Sequence, residues 1–122
     1  MSQSSSAGVF QDLTIIDVSG SVATSYAAKL FADYGALVVN LEPAQGFLTR
    51  QLAPLLASGE SAMHGYLHTN KQSVVGQQRF LRDEPVTVQA ELVIYDSNYL
   101  PKTDFLTGIG CSTCAISWHG LT

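Results

Sequence analysis

Charge is scarce in this chain. Only 13% of its 122 residues are Asp, Glu, Lys or Arg, and six cations against ten acids leave a net charge of −4. So few cations set up no basic field, which excludes a nucleic-acid binder that works by neutralising phosphates. Long apolar runs are missing too: none reaches the roughly 18–20 residues that a membrane-spanning helix needs. The first residues carry neither basic side chains nor an apolar stretch. Residues 1–9 are Ser-rich and read as a disordered lead-in rather than a signal peptide. Cysteine is confined to Cys111 and Cys114. Two thiols without an export signal point to reducing, cytoplasmic surroundings. Two catalytic signatures are also absent. No serine sits in a Gly-x-Ser-x-Gly elbow, so a nucleophilic triad has no support. Gly20 is followed by Ser21-Val22-Ala23-Thr24-Ser25, so the close-approach glycines of a dinucleotide fingerprint are missing.

What is abundant is apolar surface. At 46% hydrophobic residues, one domain of this length buries a real core and still leaves surface for missing chain or another subunit to cover. Leu13–Val18 reads as a buried strand that ends in Ser19-Gly20-Ser21, with the serines as helix N-cap candidates. From Val22 to Tyr34 the apolar residues Val22, Tyr26, Ala27, Leu30, Phe31 and Tyr34 recur at helical spacing, with Lys29 and Asp33 among the polar positions. Gly35 suits the left-handed position just past a helix end. Leu37–Leu41 makes a second strand that runs on to Glu42-Pro43. This is a βαβ unit with parallel strands buried on both faces. Residues 44–59 read as a long loop with a helical piece near Gln51–Leu56. Ser61–Leu67 suggests another helical turn, His68–Gln72 a polar turn and Ser73–Val75 a short strand. Gln77–Asp83 suggests a brief helix. Glu91–Asp96 is the clearest later strand, and Cys114–Ser117 is a last candidate. A parallel strand with no crossover after it suggests the front part of something longer.

Several residue groups carry candidate chemistry. Cys111-Ser112-Thr113-Cys114 has CxxC spacing, but a second ligand pair is lacking, so two buried or half-buried thiols are the preferred reading and no metal is expected. His64 and His68 lie four apart without the intervening Glu of a zinc protease. The Asn70-Lys71-Gln72-Ser73 turn offers one cation and several donors to a phosphate, with Arg50 and Arg79 as further cations. Asp17, Glu42 and Asp96 lie at or near strand ends, where open α/β sheets place ligands and where acids also cap turns. Glu42 is the residue that would hold a ribose in a nicotinamide-nucleotide binder.

Four segments in this order resemble the N-terminal part of the family III CoA-transferases, the family of formyl-CoA transferase, carnitine CoA-transferase and alpha-methylacyl-CoA racemase. "FQDLTIIDVSGSVATSYAAKLFADYGALVVNLEP" is similar to the family opening, a strand ending in Asp, a helix, and "GA-x-V-I-K-V-E-P". "HTNKQSV" is similar to the turn "N-R-N-K-R-S-V". "AELVIYDSN" is similar to "A-D-V-V-V-E-N-F", and "CAISWHGLT" to "Y-x-x-I-S-G-F-G-x-T-G-P". The likeness covers residues 10–122.

The resemblance implies an α/β fold: a Rossmann-like parallel sheet flanked by helices, a CoA-binding domain over residues 10–122 that forms the N-terminal portion of a larger fold. It implies coenzyme A or acyl-CoA as ligand and a homodimer or a pairing with a second CoA-transferase half. Family enzymes exchange CoA between carboxylic acids through a covalent aspartyl intermediate, which splits one hard acyl transfer into two easier ones. That aspartate lies beyond the turn matched by Ser117-Trp118-His119-Gly120, so no catalytic residue is expected in this chain. By position, Val22 and Ala23 match the turn that touches the nucleotide, Asn70 and Lys71 the phosphate-side turn, and Arg79 a nearby contact. Asp96, Ser97 and Asn98 match the Asn-Phe-x after the third long strand. Two departures change the charge: Gln72 replaces an arginine and Asp96 an asparagine. They are expected to weaken phosphate binding by about 1–3 kcal/mol. A non-catalytic scaffold or assembly domain built on the same fold is the alternative reading.

Overall fold

A computed structural model describes residues 8–19, 21–75, 90–96 and 112–117. In chain order they form β1 (Thr14–Val18), α1 (Val22–Asp33), β2 (Leu37–Glu42), a 3-10 turn (Leu48–Gln51), α2 (Ala62–Leu67), β3 (Gln72–Val75), β4 (Leu92–Asp96) and β5 (Ser112–Ile116). The strands join into one five-stranded sheet in the order β3-β2-β1-β4-β5. Every pairing is parallel. The expected βαβ unit is therefore present, and β1 and β2 are neighbours as their apolar runs imply. The 3-10 turn lies a few residues before the expected helical piece, and β5 starts two residues before the expected strand. The expected helix over Gln77–Asp83 lies outside the described residues.

The central strands are buried on both faces. Ile15, Ile16, Val18, Val38 and Leu41 have no exposure at all, and each such side chain contributes about 1.5–3 kcal/mol of burial. The edge strand β3 is mostly exposed, as is the first half of β5. Cys114 on β5 is a free, exposed thiol, which corrects the expectation of a buried or half-buried one; Cys111 lies outside the described residues.

Helix α1 begins where the Ser21 hydroxyl accepts the Thr24 N–H at 3.3 Å. Past its end, Gly35 sits at φ 105°, a left-handed backbone that a Cβ would strain. Its apolar stripe is split: Phe31 packs partly buried against the core, while most of the stripe faces outward. The helix buries Thr24, Ser25, Ala28, Lys29 and Ala32 and exposes Val22, Tyr26 and Leu30, with Tyr34 just past its end also exposed. The reason lies in the sheet. Register pairs Ile15 with Val38 and Asp17 with Asn40, so all four side chains point to one face. Ala28 and Ala32 pack on Ile15 and Val38 in one cluster. One turn earlier, the polar face of α1 lies over Asp17, where a large apolar side chain would strand a buried carboxylate.

Candidate functional site

The chain steps outward from β1 to β2 and β3, then crosses back to β4 and β5 on the other side of β1. Open α/β sheets bind ligands at such a reversal, outside the carboxyl ends of the strands, where loops on the two sides diverge. A crevice of about 160 Å³ opens at that place, lined by Ser21, Ala23, Asp96, Ile116 and Ser117. Ser21 and Ala23 start α1 beyond β1, Asp96 ends β4, and Ile116 and Ser117 end β5. Asp96 is 6% exposed, so its carboxylate is mostly buried at the crevice wall. A space that small seats part of a ligand, such as one ring or sugar, rather than a whole dinucleotide-sized molecule.

The α1 face of the sheet, on the β2–β3 side, holds a second polar cluster. The Lys71 amine donates to Asp17 Oδ2 at 2.7 Å, to the Ser25 carbonyl at 3.0 Å and to His68 Nδ1 at 3.1 Å. An ammonium has three N–H donors, and all three are used. The other oxygen of Asp17 accepts the Ser19 hydroxyl. Neither the Asp17 nor the Lys71 side chain has any exposure. Burial pushes the Asp17 carboxyl up and the Lys71 amine down, and their mutual attraction opposes both shifts.

His68 Nδ1 accepts from Lys71 and also faces the Asn40 amide nitrogen at 3.1 Å. That fixes the ring proton on Nε2, which faces Thr49 Oγ1 at 3.2 Å, and the Thr49 hydroxyl then donates to His64 Nδ1 at 2.7 Å. The two imidazoles lie 4.4 Å apart, centroid to centroid. Burial, with Lys71 and His64 adding to it, lowers His68 to about 3, so the ring is neutral at physiological pH. Among the described residues no group of three or more His, Cys, Asp or Glu is placed to hold a metal ion.

Glu42 answers why an apolar strand ends on an acid. Its Oε1 accepts the Phe47 N–H at 2.9 Å and Arg50 Nε at 2.6 Å. Its Oε2 accepts Arg50 Nη2 at 2.6 Å and the Ser73 hydroxyl. A carboxylate offers about four acceptor sites, and these four bonds fill them. Burial alone would raise this acid, but the bonds from Arg50, Ser73 and the Phe47 N–H outweigh it and hold the group at about 2. Glu42 is a staple for residues 43–51. No acceptor remains for a ribose, which removes the residue a nicotinamide-nucleotide reading depends on.

Of the residues singled out from sequence, Ala23 and Asp96 meet in the crevice. Val22 adjoins it on the exposed face of α1. Asn70 is exposed at φ 69° in the turn before β3, and Lys71 points inward to Asp17. Arg79, Ser97 and Asn98 lie outside the described residues. Sequence reasoning did not connect Asp17 with Lys71, fifty-four positions apart, nor Thr49 with the two histidines. The available signal was Asp17 itself, an acid inside a buried strand, which demands a partner without saying which.

The sequence profile of CoA-transferase family III matches residues 10–75, more than half of the chain. The chain belongs to CoA-transferase family III. Solved structures share its fold. A CAIB/BAIF family protein from Brucella suis superposes with a TM-score of 0.74 at 19% identity, over 95% of this chain and 35% of that one. Rv3272 from Mycobacterium tuberculosis gives a TM-score of 0.69 at 19% identity, over 93% of this chain and 36% of that one. The family III chain thus spans about a third of the length of the structures it matches. No curated protein matches it. The profile match takes in β1, α1, β2, the staple and the Lys71 turn, and it stops at the end of β3. Among the described residues, no helix is long and apolar enough to cross a membrane.

Proposed function

We propose that this chain is a coenzyme A-binding part of a family III acyl-CoA transferase, and that the crevice at the ends of β1, β4 and β5 receives a portion of the nucleotide end of CoA. The observation that carries the reading is one coincidence. The crevice lies at the sheet's reversal point, and it is walled by Ser21 and by Ala23, which with Val22 matches the turn that by family resemblance touches the nucleotide. Ala23 and Asp96 are the wall contacts of this reading, with Val22, Asn70, Ser97, Asn98 and Arg79 as further candidates by matching alone. Acyl exchange through an aspartyl intermediate needs residues outside those matched here, so the part assigned to this chain is binding.

Calorimetric titration with CoA tests the reading. Saturable heat is expected, and Ala23→Leu, which fills the crevice, is expected to weaken binding at least tenfold with the fold intact. No heat with millimolar CoA in a folded sample overturns the proposal.

The exposed Val22, Tyr26, Leu30 and Tyr34 favour a second reading, a domain that pairs with another chain or another half of its own. Light scattering separates the two: a monomer that binds CoA rules out pairing as the role of this domain.

A further inference from the structure

We propose that Lys71 is a positioning residue for the crevice: its saturated ammonium ties the first turns of α1 to β1 and so holds the wall that Ser21 and Ala23 form. The inference rests on the CoA-binding reading for its functional consequence, while the tie itself rests on geometry alone.

The chain of bonds is continuous. Lys71 grips Asp17 at the end of β1 at 2.7 Å and the Ser25 carbonyl at 3.0 Å. The Ser25 N–H in turn bonds the Ser21 carbonyl at 3.1 Å, and the Ser21 hydroxyl accepts the Thr24 N–H. Ser21 and Ala23 are crevice residues. The third donor of Lys71 is fixed by His68. This fastens the turn before β3 to the same point, because His68 is held in place by Asn40 and Thr49. A phosphate approaching Lys71 would have to displace one of these three buried acceptors. The position that sequence matching offers as a phosphate contact therefore works through the backbone of α1 instead.

The test uses hydrogen exchange and CoA titration on the whole chain. Lys71→Met cuts the tie but leaves Asp17 charged and unpaired. Asp17→Asn/Lys71→Met cuts the same tie without that charge, and it serves if the single variant does not fold. Either folded variant is expected to exchange the Thr24 and Ser25 amides at least tenfold faster, to keep the protection of β1 and β2 amides relative to one another, and to bind CoA at least tenfold more weakly. A purely structural pair would lower protection everywhere alike and leave the affinity of the folded fraction unchanged. Unchanged exchange at Thr24 and Ser25 in the folded double variant overturns the proposal. Faster exchange with unchanged CoA affinity overturns it as well. If the wild-type chain itself binds no CoA, the function reading fails, and the exchange arm still decides whether Lys71 holds the turn.

Discussion

The two sides of β1 differ in how closely the chain fills the space beside the strand ends. Towards β2 and β3, the acids Asp17 and Glu42 are buried and fully engaged, one by Lys71 and Ser19, the other by Arg50, Ser73 and the Phe47 N–H. Towards β4 and β5, the strand ends open into a crevice lined, among the described residues, by Ser21, Ala23, Asp96, Ile116 and Ser117. A polar atom whose bonds are all made to its own chain has nothing to offer a ligand without first losing a bond, and in a buried setting each loss is costly. The engaged side therefore holds the sheet edge and the α1 face in shape, and the other side is where the strand ends leave space. Residue type alone does not show where a side chain goes: in the Asn70-Lys71 turn, Asn70 is exposed and the Lys71 amine bonds Asp17, the Ser25 carbonyl and His68.

The engaged side should break hardest. Lys71→Met leaves Asp17 without its counter-ion at zero exposure, which is expected to cost about 3–5 kcal/mol in urea unfolding. Asp17→Asn/Lys71→Met should recover most of that loss, because the unpaired charge, rather than the missing attraction, dominates the cost. Arg50→Met is expected to cost less, about 2–3 kcal/mol. Glu42 is 1% exposed, but the Arg50 side chain is 48% exposed and partly screened, and Ser73 and the Phe47 N–H still hold the acid. Limited proteolysis within residues 43–51 should quicken in that variant and not at β4.

Acid sharpens the same contrast. His68 titrates near 6.5 when unfolded and at about 3 when folded. The unfolded chain therefore binds this proton first, and stability falls as pH drops from about 6.5 towards 3. By about pH 5 the loss from His68 is about 2 kcal/mol. Glu42, held at about 2 against 4.5, is depressed in the folded state. Its contribution is whole above about 4.5 and is lost as pH falls towards 2. Unfolding free energies measured against pH should thus show two overlapping declines, the first beginning near pH 6.5 and the second joining it below about 4.5. His68→Gln should shrink the upper one, leaving the share of His64, which burial also lowers, and should leave the lower. A single decline beginning only below about pH 4.5 in the wild type would show that His68 is not the neutral acceptor its partners require.

Much of the frame was legible because it depends on local rules. The apolar runs of β1, β2 and β4, the Ser21 cap, Gly35 at the helix end and the short strand after the Asn70 turn are each set by residues within a few positions of one another. The places of β3, β4 and β5 in the sheet were not read from the sequence, because strand order is set by long-range pairing. The clamp and the staple were not legible, because each joins residues brought together only when the sheet forms. In sequence, Lys71 has no mark that distinguishes an inward amine from a solvated one. Glu42 looked like a ligand residue because strand-end acids often are, and only Arg50 folding back through the 3-10 turn shows otherwise. The facing of α1 was left open for a different reason. Periodicity says that a helix has an apolar stripe, and burial of that stripe is an added assumption. Here β1 and β2 present Asp17 and Asn40 to the helix, so the helix turns its small and polar residues inward.

That inversion yields the smallest effect and the most discriminating one. If the stripe of α1 faced the sheet, Leu30→Ser would open a cavity and cost about 2–5 kcal/mol, while a larger residue at position 28 would be tolerated at the surface. With the stripe outward, Leu30 is 41% exposed and Ala28 fully buried against Ile15 and Val38. Leu30→Ser should then cost below about 1 kcal/mol, and Ala28→Leu about 1–3 kcal/mol by pushing α1 off the sheet. Urea unfolding of the two variants decides the order. A Leu30→Ser loss larger than that of Ala28→Leu would mean that the apolar face of α1 is covered in solution, and that the pairing reading deserves the weight here given to ligand binding.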